Sequence, residues 1–351
     1  LVKPVRVRAD WQLTGPLLAL WPFRDDVWPQ QGRPAQQQLL QLLRQLQPLH
    51  PVLLAVPPRW YASVRRQVSA EIPIVMLPYN DAWPRDFGPF WLQQQGTERI
   101  RAVQFDFHAW QGLYPDYQAD KRFASALTQR LCCPLTRYDL VLEGGAITTN
   151  CDGVAIVNAV SVQRNNPGWR LSQISAQLTK QLGLKHIFWL YEAHAADETG
   201  GHIDNQVQFA DSCTLVHALA APVLAALQQQ LVAAGLHYRY VALPALQTIQ
   251  PHAHEFHTVA RRKGVMVRGQ QPLLASYVNF IRVADVLLLP QFGLPTDQPA
   301  LTSLRQCLPE LQVLGVAADE FIKAGGGPHC LTLHTPASGV NTTWMNSSSK
   351  R

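Results

Sequence analysis

The stretch Ala324-Gly325-Gly326-Gly327-Pro328-His329-Cys330 sets a cysteine directly behind a run of glycines. Glycine is used where the backbone needs positive φ or where another group must approach the main chain closely, and neither need is usual beside a cysteine that only fills a core. The run is therefore read as opening the backbone to a ligand, which makes Cys330 the first candidate nucleophile. A buried structural cysteine is the alternative on this segment alone. Working outward, Glu198-Thr199-Gly200-Gly201-His202-Ile203-Asp204-Asn205 places a histidine and an aspartate two positions apart after a glycine pair. If the segment is a strand, His202 and Asp204 share a face. If it is a loop, they form a polar pair satisfied locally. A cysteine with a histidine elsewhere is the minimal set for thiol catalysis, because the thiolate attacks and the imidazole moves protons.

Asn80-Asp81-Ala82-Trp83-Pro84-Arg85-Asp86-Phe87-Gly88-Pro89 mixes prolines, a glycine, a tryptophan and charges, a composition that no regular element tolerates well. It reads as an ordered loop whose Trp83 and Asp86 face a pocket, or else as a corner with a structural Arg85–Asp86 ion pair. Val141-Leu142-Glu143-Gly144-Gly145-Ala146 is an apolar strand that delivers a carboxylate into a glycine pair. Glu143 is the third acid, after Asp86 and Asp204, placed where a side chain meets a roomy site.

These four segments, in this order, resemble the agmatine deiminase family of the guanidino-group-modifying superfamily. Its motifs run tryptophan-x-arginine-aspartate-x-glycine-proline, glutamate-glycine-glycine, glutamate-threonine-x-glycine-histidine-x-aspartate-asparagine, and a glycine run closing on histidine-cysteine. Supporting matches are Trp21-Pro22, Phe107-His108-Ala109-Trp110, Arg164-Asn165-Asn166-Pro167, and the region from Ser276-Tyr277-Val278-Asn279-Phe280 to Pro290-Gln291-Phe292-Gly293. The chain departs from the pattern at Pro328, at His108 and by an extra asparagine after Arg164. Leu113-Tyr114-Pro115-Asp116-Tyr117 is closer to the bacterial peptidylarginine-deiminase-like branch.

The resemblance implies a five-bladed α/β-propeller (pentein) of repeated ββαβ-type units, forming one catalytic domain over residues 1–336 with a flexible tail at 337–351. It implies Cys330 as nucleophile, His202 as general acid and base, Asp86 and Asp204 as the carboxylates that grip a guanidinium, and Glu143 in the polar shell of His202. Glu198 matches the acid near the distal amine of agmatine, and Trp83 an aromatic wall. The implied reaction converts agmatine to N-carbamoylputrescine and ammonia in polyamine metabolism. The alternatives are deimination of free or peptidyl arginine, which needs a partner for a carboxylate such as an arginine at the pocket mouth, and a non-catalytic binding protein of the same fold.

The chemistry fits these residue types. Paired carboxylates hold a planar cation and localise its charge away from the attacked carbon. A bound cation or a charged His202 favours the thiolate. Attack expels ammonia with a proton from His202, and water then opens the amidino-thioether. No metal or organic cofactor is needed.

With 351 residues and 47% hydrophobic content the chain can bury a large core. No apolar run reaches the roughly 18 residues of a membrane span, and Leu1-Val2-Lys3-Pro4 lacks the shape of a signal peptide. The net charge of +6 comes from scattered arginines without a nucleic-acid motif, so neither nucleic acid nor membrane is an expected partner. The expected partner is a small cationic guanidino compound, and a homo-oligomer is compatible with the sequence. Cys132 and Cys133 are adjacent, the other cysteines are widely spaced, and no CxxC pair suggests zinc, so reduced thiols in a cytoplasm are expected. His252, His254, His257 and Glu255 lack a helical i, i+4 histidine pair and read as a polar surface loop.

Strands are predicted at 52–56, 72–77, 103–107, 154–157, 187–190, 215–216, 238–242, 286–289, 313–316 and 331–333. Helices are predicted at 34–47, 119–131, 171–182, 222–234 and 299–307. This alternation alone points to a doubly wound α/β sheet, since no internal repeat is visible. The glutamine triplets 36–38 and 228–230 are expected on exposed helix faces.

Overall fold

The computed structural model describes residues 4–337, so the expected tail lies, from residue 338 on, outside the described residues. All five predicted helices and the long apolar strands form close to where they are expected, but they do not join into one doubly wound sheet. They build six separate sheets of two to four strands. Five of these share one pattern, in which an antiparallel pair is extended by a parallel strand reached through a helix.

Along the chain, Leu17–Leu20 pairs in parallel with Val52–Val56 across the helix Arg33–Leu46, and the C-terminal strand Thr332–Leu333 runs antiparallel to Leu17–Leu20. Phe90–Gln94 and Ile100–Asp106 are antiparallel, and the helix Gln118–Arg130 leads to the parallel Leu135–Val141. Ile147–Thr149, Val154–Asn158 and His186–Leu190 repeat the plan through the helix Leu171–Leu182. Val207–Phe209, Thr214–His217 and Arg239–Ala242 repeat it through Ala221–Ala233. Ile281–Val283, Val286–Gln291 and Gln312–Ala317 do so through Asp297–Cys307. A parallel pair cannot be closed by a tight turn, so each helix is the crossover that the topology requires. A two-stranded ribbon, Gln247–Ile249 with Leu273–Ala275, lies outside the pattern.

The central strands are the most apolar. Val52–Val56, Val154–Asn158 and Thr214–His217 are buried at every position, because neighbours cover both faces and no alternation is needed. The helices bury one stripe, as Arg33–Leu46 does with Leu39, Leu43 and Leu46. The helix Leu171–Leu182 stops at Gly183, whose φ of 68° favours glycine. Pairing of Leu17–Leu20 with the last strand, Thr332–Leu333, lets one hydrophobic cluster run from Leu13 to Leu333.

The first glutamine triplet is not an exposed face. Gln36 and Gln38 are buried, Gln36 Nε2 donating to the Pro22 carbonyl at 2.6 Å. Gln38 donates to Asp319 Oδ1 at 2.7 Å and accepts from the Glu320 amide at 3.0 Å. A carboxamide offers both a donor and an acceptor, so it can be buried where loops leave backbone groups unpaired. In the second triplet Gln229 and Gln230 are exposed and Gln228 half-buried. Among the described residues no helix is long and apolar enough to cross a membrane.

Candidate active site

The four motifs lie where chain segments enter or leave the repeated units. Pro84–Phe87 is a single helical turn, where a loop without regular structure was expected. Pro84 stands in its first turn, a position whose amide has no helical partner in any case. The turn aims Asp86 and Arg85 apart. Asp86 Oδ1 accepts from the Gly145 amide at 2.9 Å and Oδ2 from Trp110 Nε1 at 2.9 Å. Arg85 instead meets Asp10 Oδ1 at 3.2 Å and His334 Nδ1 at 2.9 Å, so the Arg85–Asp86 ion pair does not form.

Glu143 follows the strand Leu135–Val141 and is fully buried. Its Oε2 accepts from Asn165 Nδ2 at 3.1 Å and faces His202 Nε2 at 3.1 Å. The other His202 nitrogen, Nδ1, lies 3.7 Å from Asp86 Oδ1. His202 is not on a strand. Gly200 and Gly201, at φ 84° and 114°, bend the chain into a short 3-10 turn over Ile203–Asn205, and the two side chains diverge. Asp204 Oδ2 meets His329 Nδ1 at 2.8 Å, and His329 Nε2 meets Asp10 Oδ2 at 3.0 Å.

The electrostatics follow from burial among acids. Burial opposes charge on His202, but Asp86, Glu143 and Asp204 outweigh it and raise its imidazolium to about 10. Burial drives Asp86 up to about 6, with Glu143 and Asp204 adding to the rise and His202 opposing it. Burial would raise Asp204 as well, but His329, His202 and Arg85 hold it below the usual carboxylate range.

A Cβ on Gly145 would strike His202 Nδ1 and stand 3.0 Å from Asp86 Oδ1. Gly145→Ala is therefore expected to separate His202 from Asp86; if the pair acts in catalysis, a displacement of about 1 Å lowers kcat/KM by roughly 10²-fold. Circular dichroism should show an unchanged fold. Wild-type kinetics in this variant would mean that the His202–Asp86 spacing does not matter.

Cys330 is buried, with Sγ 3.2 Å from Asn279 Nδ2 and 3.7 Å from Asp204 Oδ2. Burial first, then Asp204 and Asp86, push its thiol well above the ordinary value, which favours the neutral thiol over the thiolate. Gly325 and Gly326 line a cavity together with Cys330, and side chains of other segments also press against the backbone of the run. A Cβ at Gly325 would overlap the Glu198 carboxylate, at Gly326 the Trp83 ring and at Gly327 the Asn279 carboxamide. Of the three glycines only Gly325 is left-handed, at φ 97°.

Trp83, Asp86, Glu198, His202 and Cys330 line one cavity enclosing about 370 Å³, with Trp110, Tyr114 and Arg268 completing its wall. Trp83 is itself stacked on Trp28, ring centroids 5.3 Å apart. Five of the seven predicted site residues thus meet in one space. Glu143 stands behind His202. Asp204 stands behind Cys330 and faces a separate polar cavity with Asp10, Arg85, His329 and His334.

The Porphyromonas-type peptidyl-arginine deiminase family matches residues 6–336. The chain belongs to that family. The matched span covers every site residue named above. A curated relative from Yersinia pseudotuberculosis, "Putative agmatine deiminase", is 30% identical over 347 residues, 94% of this chain and 95% of its own length. A relative of the same name from Vibrio parahaemolyticus is 30% identical over 346 residues, covering 94% and 96%. The solved agmatine deiminase of Enterococcus faecalis superposes with a TM-score of 0.88 at 24% identity, over 95% of this chain and 96% of the other, which shows a shared fold.

Several residues of this Porphyromonas-type site escaped the sequence reading. Asn279 and His329 lie inside quoted motifs, yet nothing local says that one touches Sγ and the other Asp204. Asp197 caps the His202 amide at 2.9 Å and holds Asn205 Nδ2 at 3.2 Å. Asn166 clamps Val141, and Asn165 clamps Glu143, which gives the Arg164 motif its structural reason. Arg268 carried no signal at all. The histidine-rich loop lies elsewhere, with Glu255 taken up by Lys323 Nζ at 2.7 Å. Among the described residues no cluster of His, Cys, Asp and Glu is arranged to hold a metal.

Proposed function

We propose that this member of the family removes ammonia from a guanidino group by covalent catalysis at Cys330, with agmatine as substrate and N-carbamoylputrescine and ammonia as products. The observation that carries the reading is the convergence of Cys330, His202, Asp86 and Glu198 on one tryptophan-walled cavity. The curated relatives named for agmatine support the substrate. The five like units and the likeness in fold to the Enterococcus faecalis enzyme support a five-bladed α/β-propeller, one domain over residues 1–336. Widely spaced cysteines support a reducing cytoplasm.

The steps balance as follows. A guanidinium enters beside Asp86, its positive charge favours the thiolate, Cys330 releases its proton to solvent, and the sulfur attacks the guanidino carbon. The C–S bond forms, one C–N bond breaks, and His202 gives the departing nitrogen its proton, so ammonia leaves. Water then attacks the amidino-thioether carbon and gives a proton to His202. The C–S bond breaks as the remaining hydroxyl proton passes to the departing sulfur, leaving a ureido group and the thiol. The test is an ammonia and ureido-product assay over agmatine, arginine and an arginine peptide. Turnover of none of the three would sink the reading.

The charges set a pH window. Asp86 binds a cation only when ionised, so kcat/KM should fall as pH drops through about 6. His202 serves as acid only when charged, so the alkaline limb should lie near 10. A profile flat from pH 4 to 7 would show that Asp86 does not govern capture.

A further inference from the structure

The end of the cavity formed by Glu198 carries a cation of its own. Arg268 Nη1 reaches both Glu198 oxygens, at 2.6 Å and 2.9 Å, and Nη2 donates to the Tyr114 hydroxyl. The Arg268 side chain is only 6% exposed, and burial lowers it to about 10 while Asp81 opposes the fall, so it stays charged at neutral pH. Its Nε is buried without any acceptor. A buried guanidinium N–H without an acceptor is a donor left for a ligand oxygen to satisfy. Glu198, Arg268, Leu113 and Gly325 also border a second, larger space of about 860 Å³, so the pair forms the partition between the guanidino cavity and that antechamber.

A distal ammonium alone must compete with Arg268 for Glu198. An α-amino-acid head satisfies both members of the pair, its ammonium on Glu198 and its carboxylate on the guanidinium fork and the orphaned Nε. We infer that Arg268 is a specificity-determining residue of the distal subsite, extending the enzyme to guanidino compounds that carry a carboxylate, free arginine first, and restraining agmatine. This rests on the proposed deiminase reading of the cavity.

The test compares wild type with Arg268→Met and Arg268→Lys on agmatine, arginine, Nα-acetylarginine and argininamide. Wild type should turn over arginine, and Nα-acetylarginine more slowly. In Arg268→Met, kcat/KM for the two carboxylate-bearing compounds should fall about 10²-fold, the loss of one charge-assisted contact. Agmatine and argininamide should gain severalfold as Glu198 is released. Arg268→Lys, which keeps the charge but not the fork, should retain part of the arginine activity. Parallel losses on all four compounds in a folded Arg268→Met protein would overturn the inference, as would wild type inert to both carboxylate-bearing compounds but active on agmatine. Wild type inert to all four would instead remove the deiminase reading itself.

Discussion

Cys330→Ala is expected to abolish ammonia release, by at least about 10⁴-fold in kcat, while leaving a folded protein. Removal of a nucleophile that forms the covalent intermediate leaves only binding and electrostatics, and in other covalent enzymes such losses are of this size or larger. The fold should survive, because the side chain contributes one sulfur among contacts to Asn279 and Asp204, and single buried changes typically cost about 0.5–3 kcal/mol. The same protein should still bind the guanidino substrate through Asp86, so calorimetric titration gives a signal when turnover does not. Intact-mass measurement offers a second check, since an amidino adduct trapped on the wild-type chain must be missing from the variant. Ammonia release at the wild-type rate would refute the covalent step.

Asp86→Asn should be the next most damaging change, with kcat/KM down about 10²–10³-fold. The two Asp86 oxygens accept from the Gly145 amide and from Trp110 Nε1. An asparagine has one acceptor, so whichever way its amide turns, an N–H faces another N–H. Loss of the charge-assisted contact to a guanidinium adds about 1.5–3 kcal/mol, and tenfold in rate is about 1.4 kcal/mol. His202 also loses the first of the carboxylates that hold its charge, so the alkaline limb should move below 10. That displacement separates a catalytic role from simple misfolding. An unchanged limb with wild-type capture would show that Asp86 neither holds substrate nor tunes His202.

The four motifs were legible because each is contiguous, and because glycine and proline punctuate the chain wherever the backbone is constrained. The middle strands were legible for the same local reason, being continuous apolar runs such as Val52–Val56. Three-residue strands such as Ile147–Thr149 and Val207–Phe209 were not, since they are too short to display a period. The repeat of five units was hidden because it is a repeat of hydrogen-bond topology, which different residues satisfy equally well.

Local spacing also misled where the chain turns. His202 and Asp204 would share a face on a strand, but the segment is a turn after two left-handed glycines, and one side chain meets Glu143 and the other His329. The glycines before Cys330 were read as an opening for ligand; Gly325 and Gly326 do line the cavity, and the run also admits Glu198, Trp83 and Asn279, which no local signal announced.

From residue order alone came the kind of chemistry: a thiol, an imidazole and an excess of carboxylates suited to a planar cation. Partnership came from folding. Arg268 reaches Glu198 across 70 residues, and His329 joins Asp204 to Asp10 across 125 and 319 residues. Hydrophobic period and glycine content act over a few positions and can be read along the chain. An ion pair depends on a separation of a few ångströms, and separations between distant segments exist only after the sheets have packed.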